Sequence, residues 1–205
     1  MFCSNCGTKG DGNFCRQCGS PLKDASPRFD AVDQDWSGEV LYKRLIQVPE
    51  VRALIEKHAS MAQKGLSGEE FLAFADKVLP LGISLEKLGS VVQPIYAQLG
   101  IKTGEERSES FPIPPGTLIV SALCSLARNG QILQQVRQLE DGCLLEALLP
   151  SDLWSWQGIL YVSVRKAGTG SRVDGAVDIK GQLFDWGKSD RCLETLFSDI
   201  GATPA

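Results

Sequence analysis

The sequence predicts an α+β protein, and three observations carry that prediction. Four cysteines in two Cys-x-x-Cys pairs crowd the first eighteen residues. Apolar residues recur at helical spacing from Pro49 to Leu99, and from Ile132 to Ile179 the period falls to two, between two further helical stretches. The expected layout is a metal-held stub at 1–22, a linker at 23–38 and a helical segment at 39–101. At 102–205 follows an antiparallel sheet packed with helices, in the order β-α-β-β-β-β-α.

Composition sets outer bounds. With 43% hydrophobic and 22% charged residues, the 205-residue chain can fill an apolar core, so bulk disorder is not expected. The formal net charge of -4 argues against coating nucleic acid or an anionic membrane through the overall field. Residues 1–28 carry Lys9, Arg16, Lys23 and Arg28 against Asp11 and Asp24, a local +2 that leaves -6 for the remainder. No apolar run reaches the roughly twenty residues of a membrane span, and the N-terminus is polar where a signal peptide would be apolar. The cytoplasm is the expected location. Its redox buffer keeps thiols reduced, so paired cysteines read as metal ligands or redox groups before disulfides.

Cys3-x-x-Cys6 and Cys15-x-x-Cys18 each place two sulfurs on one tight turn, and the eight residues between the pairs suffice for a short hairpin that faces the turns together. Four thiolates around one ion suit tetrahedral Zn2+, one per chain, with no position left for water or substrate; the role is structural. Gly7 and Gly19 follow the second cysteine of each pair and let backbone N–H groups turn back toward the sulfurs. An Fe–S centre or a redox dithiol is the competing reading, but a thioredoxin-like dithiol wants one pair at a strand-to-helix junction. The residues Cys3, Cys6, Gly7, Phe14, Cys15, Cys18, Gly19, Pro21 and Leu22 resemble the short zinc-ribbon family found at the N-termini of many bacterial and archaeal proteins. That resemblance covers about the first tenth of the chain and implies a metal-stabilised knob suited to docking on a protein partner. Nucleic-acid binding through Lys9, Arg16, Lys23 and Phe14 is the weaker alternative.

After the linker, Pro49 suits a first helical turn, and Val51, Leu54, Ile55, His58 and Ala62 form one stripe. Ser67 and Glu70 form a capping box ahead of Phe71, Leu72, Phe74, Ala75, Val78 and Leu79, and Pro80 stops that helix. A third helix is expected from Ser84, interrupted at Pro94 and ended by Gly100. His58 is the single histidine, on the apolar stripe, and reads as a partly buried core residue ahead of a catalytic or metal-binding one.

In the last half, Ser108–Ile113 is read as an edge strand, and Leu118, Ile119, Ala122, Leu123, Leu126 and Ala127 as the apolar face of a helix closed by Asn129-Gly130. Ile132–Leu139 is a strand, and Asp141-Gly142 turns into a second one carrying Cys143, Leu145, Ala147 and Leu149. Leu160, Val162 and Val164 mark a third strand, Ala167–Gly170 a turn, and Val173, Gly175, Val177 and Ile179 a fourth. A last helix from Lys188 to Ile200 turns Cys192, Leu193, Leu196, Phe197 and Ile200 inward. This order resembles the small helix-grip or START-like domains in topology, a likeness that implies a small apolar ligand between sheet and helix as the alternative to a side-chain-filled core.

Trp154, Trp156 and Trp186 fall in loops, where exposed they would make an interface and otherwise would plug the ends of the sheet. Cys124, Cys143 and Cys192 read as buried thiols. With no histidine near a Ser or Cys, and no phosphate-binding glycine motif, the expectation is a non-enzymatic, zinc-binding adaptor for another protein.

Overall fold

Four consecutive strands arise from the alternation between 132 and 179. They are β3 (Ile132–Gln138), β4 (Gly142–Leu149), β5 (Gly158–Ala167) and β6 (Gly170–Asp178), each antiparallel to the next. Two strands from earlier in the chain extend this meander. β1 (Leu81–Gly82) joins β3 in parallel, and β2 (Glu105–Phe111) joins β6 antiparallel, giving the order β1-β3-β4-β5-β6-β2. The computed structural model describes residues 35–62, 67–77, 81–82, 105–151, 157–179 and 187–202, together with Gln17. The chain divides into two units, Met1–Asp35 and Trp36–Ala205, and every described helix and strand lies in the second.

The helices are α1 (Tyr42–Leu45), α2 (Pro49–Ala59), α3 (Gly68–Lys77), α4 (Pro115–Arg128) and α5 (Lys188–Ala202), preceded by a 3-10 turn at Trp36–Gly38. In α4 every residue from Pro115 to Ala127 is buried. A helix apolar all round needs cover on every side, and α4 has it. The sheet lies on one side, α5 beside it, and α1, α2 and the 3-10 turn lie on its other flanks. The α+β class is therefore built as sheet, α4 with α5, and an outer layer of short helices.

The segment expected to be merely helical shares that core. Tyr42, Leu45, Val51, Ile55, Phe71 and Leu72 belong to one apolar cluster with Leu118, Leu123, Val136, Val162 and Leu193. Trp36–Gly38, expected at the end of the linker, also sits on α4. A Cβ on Gly116 would overlap the carbonyl oxygen of Trp36, so only glycine permits that approach. The third helix expected from Ser84 lies outside the described residues, whereas Leu81–Gly82 adds a strand that no alternation announced.

Local signals work as their chemistry requires. The Ser67 N–H donates to Glu70 Oε2 at 2.8 Å and the Glu70 N–H to Ser67 Oγ at 3.2 Å, so the capping box is closed in both directions. The Ser67 backbone N–H first, and the Ser67 side chain second, hold the Glu70 carboxyl below its ordinary value. Between β5 and β6, Gly168 at φ +60° makes the turn, and Ala167 pairs with Gly170.

Candidate functional site

The four candidate zinc ligands Cys3, Cys6, Cys15 and Cys18 lie outside the described residues, as do Phe14, Gly7, Gly19, Lys9, Arg16 and Lys23. Gln17, between Cys15 and Cys18, is described: it is exposed and in a turn. Among the described residues no group of three His, Cys, Asp or Glu side chains is placed to hold a metal ion. Trp154, Trp156 and Trp186 also fall outside.

Two polar constellations remain, and each is assembled from residues distant in sequence. The first sits where α2, α4 and α5 meet. The Ser125 hydroxyl donates to Asp199 Oδ2 at 2.9 Å, the Asn129 amide to the same oxygen at 3.1 Å, and the Arg128 guanidinium to Oδ1 at 3.4 Å. Burial lowers the His58 pKa first, and the cations Arg128 and Lys57 lower it further against the opposing pull of Asp199. The His58 Nδ1 is buried without a hydrogen bond.

Serine, histidine and aspartate therefore gather here, but not in triad order. In a Ser-His-Asp triad the histidine lies between hydroxyl and carboxylate. Here the hydroxyl binds the carboxylate directly, and Asp199 is occupied by three donors. The arrangement clamps the C-terminus of α4 to α5, with Asn129 capping through the Ser125 carbonyl at 2.9 Å. Neither Ser125 nor Asp199 stands out in the sequence, because 74 residues separate them.

The second constellation lies on the sheet face turned away from α4 and α5. Gly175 faces α5, with Leu193, Leu196 and Phe197 close to where its Cβ would be, so its neighbours Asp174 and Ala176 face the other way. Strand register then lays Arg137, Leu144, Ser163, Asp174 and Ser108 in one row across five strands. Asp174 Oδ1 accepts from Ser108 Oγ at 2.6 Å and from Arg172 Nε at 2.8 Å. In the adjacent row Glu146 pairs with Arg137 at 2.7 Å, an ion pair off the hydrogen-bond axis.

Asp174, Glu146 and Ser163 are all buried, and the Ser163 Oγ has no hydrogen-bond partner. Each of the two buried carboxylates has an arginine as its partner, Arg137 for Glu146 and Arg172 for Asp174. The face is a balanced polar layer, with ion pairs in place of a proton-transfer pair. A signal for it exists in the sequence, since Glu146 interrupts the apolar strand Gly142–Leu149.

Of the three remaining thiols, Cys124 and Cys143 are buried and Cys192, expected to be buried, is half-buried. Burial pushes Cys124 and Cys143 up to about 12 and Cys192 to about 11, the last partly offset by the Gln131 amide at 3.5 Å and by Lys188. No helix among the described residues is long and apolar enough to cross a membrane. No family model, curated protein or solved structure matches the chain.

Proposed function

We propose that this chain is a non-enzymatic, zinc-binding adaptor of the cytoplasm, in which Cys3, Cys6, Cys15 and Cys18 hold one structural Zn2+ and so shape a ribbon that docks on a protein partner. The observation that carries this reading is the donor set. Two Cys-x-x-Cys-Gly turns eight residues apart supply four soft sulfurs and the glycines that close each turn. All four fall in the Met1–Asp35 unit, the smaller of the two into which the chain divides. A unit of that size has too little apolar surface to be stable alone, so the metal acts as its core. The exposed turn position of Gln17 agrees with a Cys-x-x-Cys knuckle.

Among the described residues, Ser125 with Asp199, Ser108 and Arg172 with Asp174, and Arg137 with Glu146 are engaged in structural pairs, which supports an adaptor over an enzyme. Tight packing of Leu193 and Phe197 around Gly175 favours a filled core there over a ligand chamber.

Metal analysis of protein grown without added zinc is the test: about one zinc per chain is expected, lost in the Cys15→Ser, Cys18→Ser variant while the body still unfolds cooperatively. A crosslinked pull-down run in parallel should lose the partner together with the metal. Metal retained in full by the variant would sink the zinc assignment, and a catch unchanged without metal would sink the docking role.

A further inference from the structure

Among the described residues strand β2 closes one edge of the sheet, so one row of its backbone N–H and C=O groups points away from β6. Five of its seven residues are exposed. Its sequence, Glu105-Glu-Arg-Ser-Glu-Ser-Phe111, is heavily charged, as edges that avoid strand addition usually are. The order of the charges matters as much as their number. We propose that β2 is a self-association edge, pairing antiparallel with β2 of a second copy about a two-fold axis through Ser108.

Alternation limits the choice of register. A two-fold axis perpendicular to the sheet keeps each face in place, so residues opposite one another must share a face and the axis must pass through a residue. Centred on Arg107, that arginine would meet its own copy and Glu105 would meet Glu109. Centred on Glu109, two carboxylates would meet. Centred on Ser108, each Arg107 faces a Glu109 of the other copy, Glu106 faces Ser110, and no like charges stand opposite. Of these three, only the Ser108 register replaces repulsion with attraction across the central five residues.

The side chains are positioned for this exchange. Arg107 and Glu109 already form an ion pair within the strand, both partly exposed, on the face shared with α5. The Arg107 guanidinium stacks over the Phe197 ring at 4.9 Å from its centroid, which holds the cation at the edge. Ser108 faces the other way and is anchored to Asp174. Association would then add a cross-strand partner to each charge already in place. An interface of two seven-residue strands is small, so the dimer should be concentration-dependent.

The test uses the full, metal-loaded chain and sedimentation equilibrium. Wild type should pass from one to two chains in mass as concentration rises. Arg107→Glu and Glu109→Arg should each weaken self-association about tenfold or more, since two facing pairs turn repulsive in each dimer. An equimolar mixture of the two variants should associate again, because the facing pairs become Glu–Arg while the pair within each strand stays broken. Ser110→Lys, which removes no described contact, should tighten the dimer through Glu106 of the other copy. A wild type that stays monomeric overturns the proposal, as does a dimer indifferent to these charges. Monomers that instead bind a lysine-rich extended peptide along β2 would overturn it too.

Discussion

Gln138 holds Tyr42 as a neighbouring strand would. The Tyr42 backbone N–H donates to Gln138 Oε1 at 3.0 Å, and the Gln138 amide nitrogen donates to the Val40 carbonyl at 2.9 Å. One side-chain amide thus copies the donor and acceptor of a backbone peptide for a segment 96 to 98 residues away in sequence. The same nitrogen reaches Leu139 O at 3.0 Å and Gly142 O at 2.8 Å, fixing the β3–β4 turn as well. Beyond it, the buried Tyr42 hydroxyl donates to Ala75 O at 2.9 Å and so links α1 to α3.

Replacing Gln138 by leucine keeps the volume and strands the Tyr42 N–H and the Val40 carbonyl, while Gly142 O keeps the Leu139 N–H. Leaving buried polar groups unpaired costs roughly 1–3 kcal/mol, so Gln138→Leu should lower the urea midpoint clearly. Tyr42→Phe removes one bond and should cost about 1 kcal/mol. If both variants unfold like wild type, the link between the outer helices and the sheet does not run through this amide.

Gly175 is a matter of space. A Cβ there would lie 3.0 Å from Leu193 Cδ2 and from Phe197 Cε2. Gly175→Val should overpack α5 against β6 and destabilise by about 1–3 kcal/mol. Gly168, by contrast, has φ +60° with nothing near its missing Cβ, so Gly168→Asn should be tolerated and Gly168→Val should not. Chemical denaturation of the three variants separates crowding from backbone strain.

His58 titrates below its ordinary value of 6.5. The unfolded chain therefore binds the proton more readily than the folded one, and stability falls as pH drops below 6.5 toward the lowered value. Above 6.5 the contribution is fully present. Thermal melts of wild type and His58→Gln should diverge in that acidic window; parallel curves would mean the histidine does not feel its burial or Arg128.

The seven cysteines should fall into two classes. Cys124 and Cys143, held as thiols by burial, and the half-buried Cys192, whose pKa is also pushed up, should alkylate slowly in the native state whether or not metal is present. Under the proposed zinc site, Cys3, Cys6, Cys15 and Cys18 should be protected until a chelator is added and then react together. Mass spectrometry counts the labels, and four fast-reacting thiols before chelation would contradict the metal site.

Much of the body is legible in the sequence because its signals are local. Alternating Leu160, Val162 and Val164, the capping box at Ser67 and Glu70, and the turn glycine Gly168 each act over a few residues. The helix–strand order of the last half follows from them. Contacts that depend on distant partners are silent until the chain folds: Gln138 with Tyr42, Ser125 with Asp199, and the two-residue strand at Leu81–Gly82, too short to alternate. The polar sheet face was partly written in Glu146 and Asp174, but strand register alone reveals that Ser108, Ser163 and Asp174 share a row. The zinc proposal rests on spacing, since its ligands lie outside the described residues.

The position of β2 also orders events in time. β3 to β6 form by successive hairpins between chain neighbours, whereas β2 finds β6 only after a detour through α4 and the whole meander, as in the pairing of Glu109 with Val173. Closing that long loop must wait until α4 and the meander supply a surface to dock on. An edge strand paired on one side only can open without disturbing the hairpins, so native-state hydrogen exchange at β2 should proceed by a local opening that spares the meander.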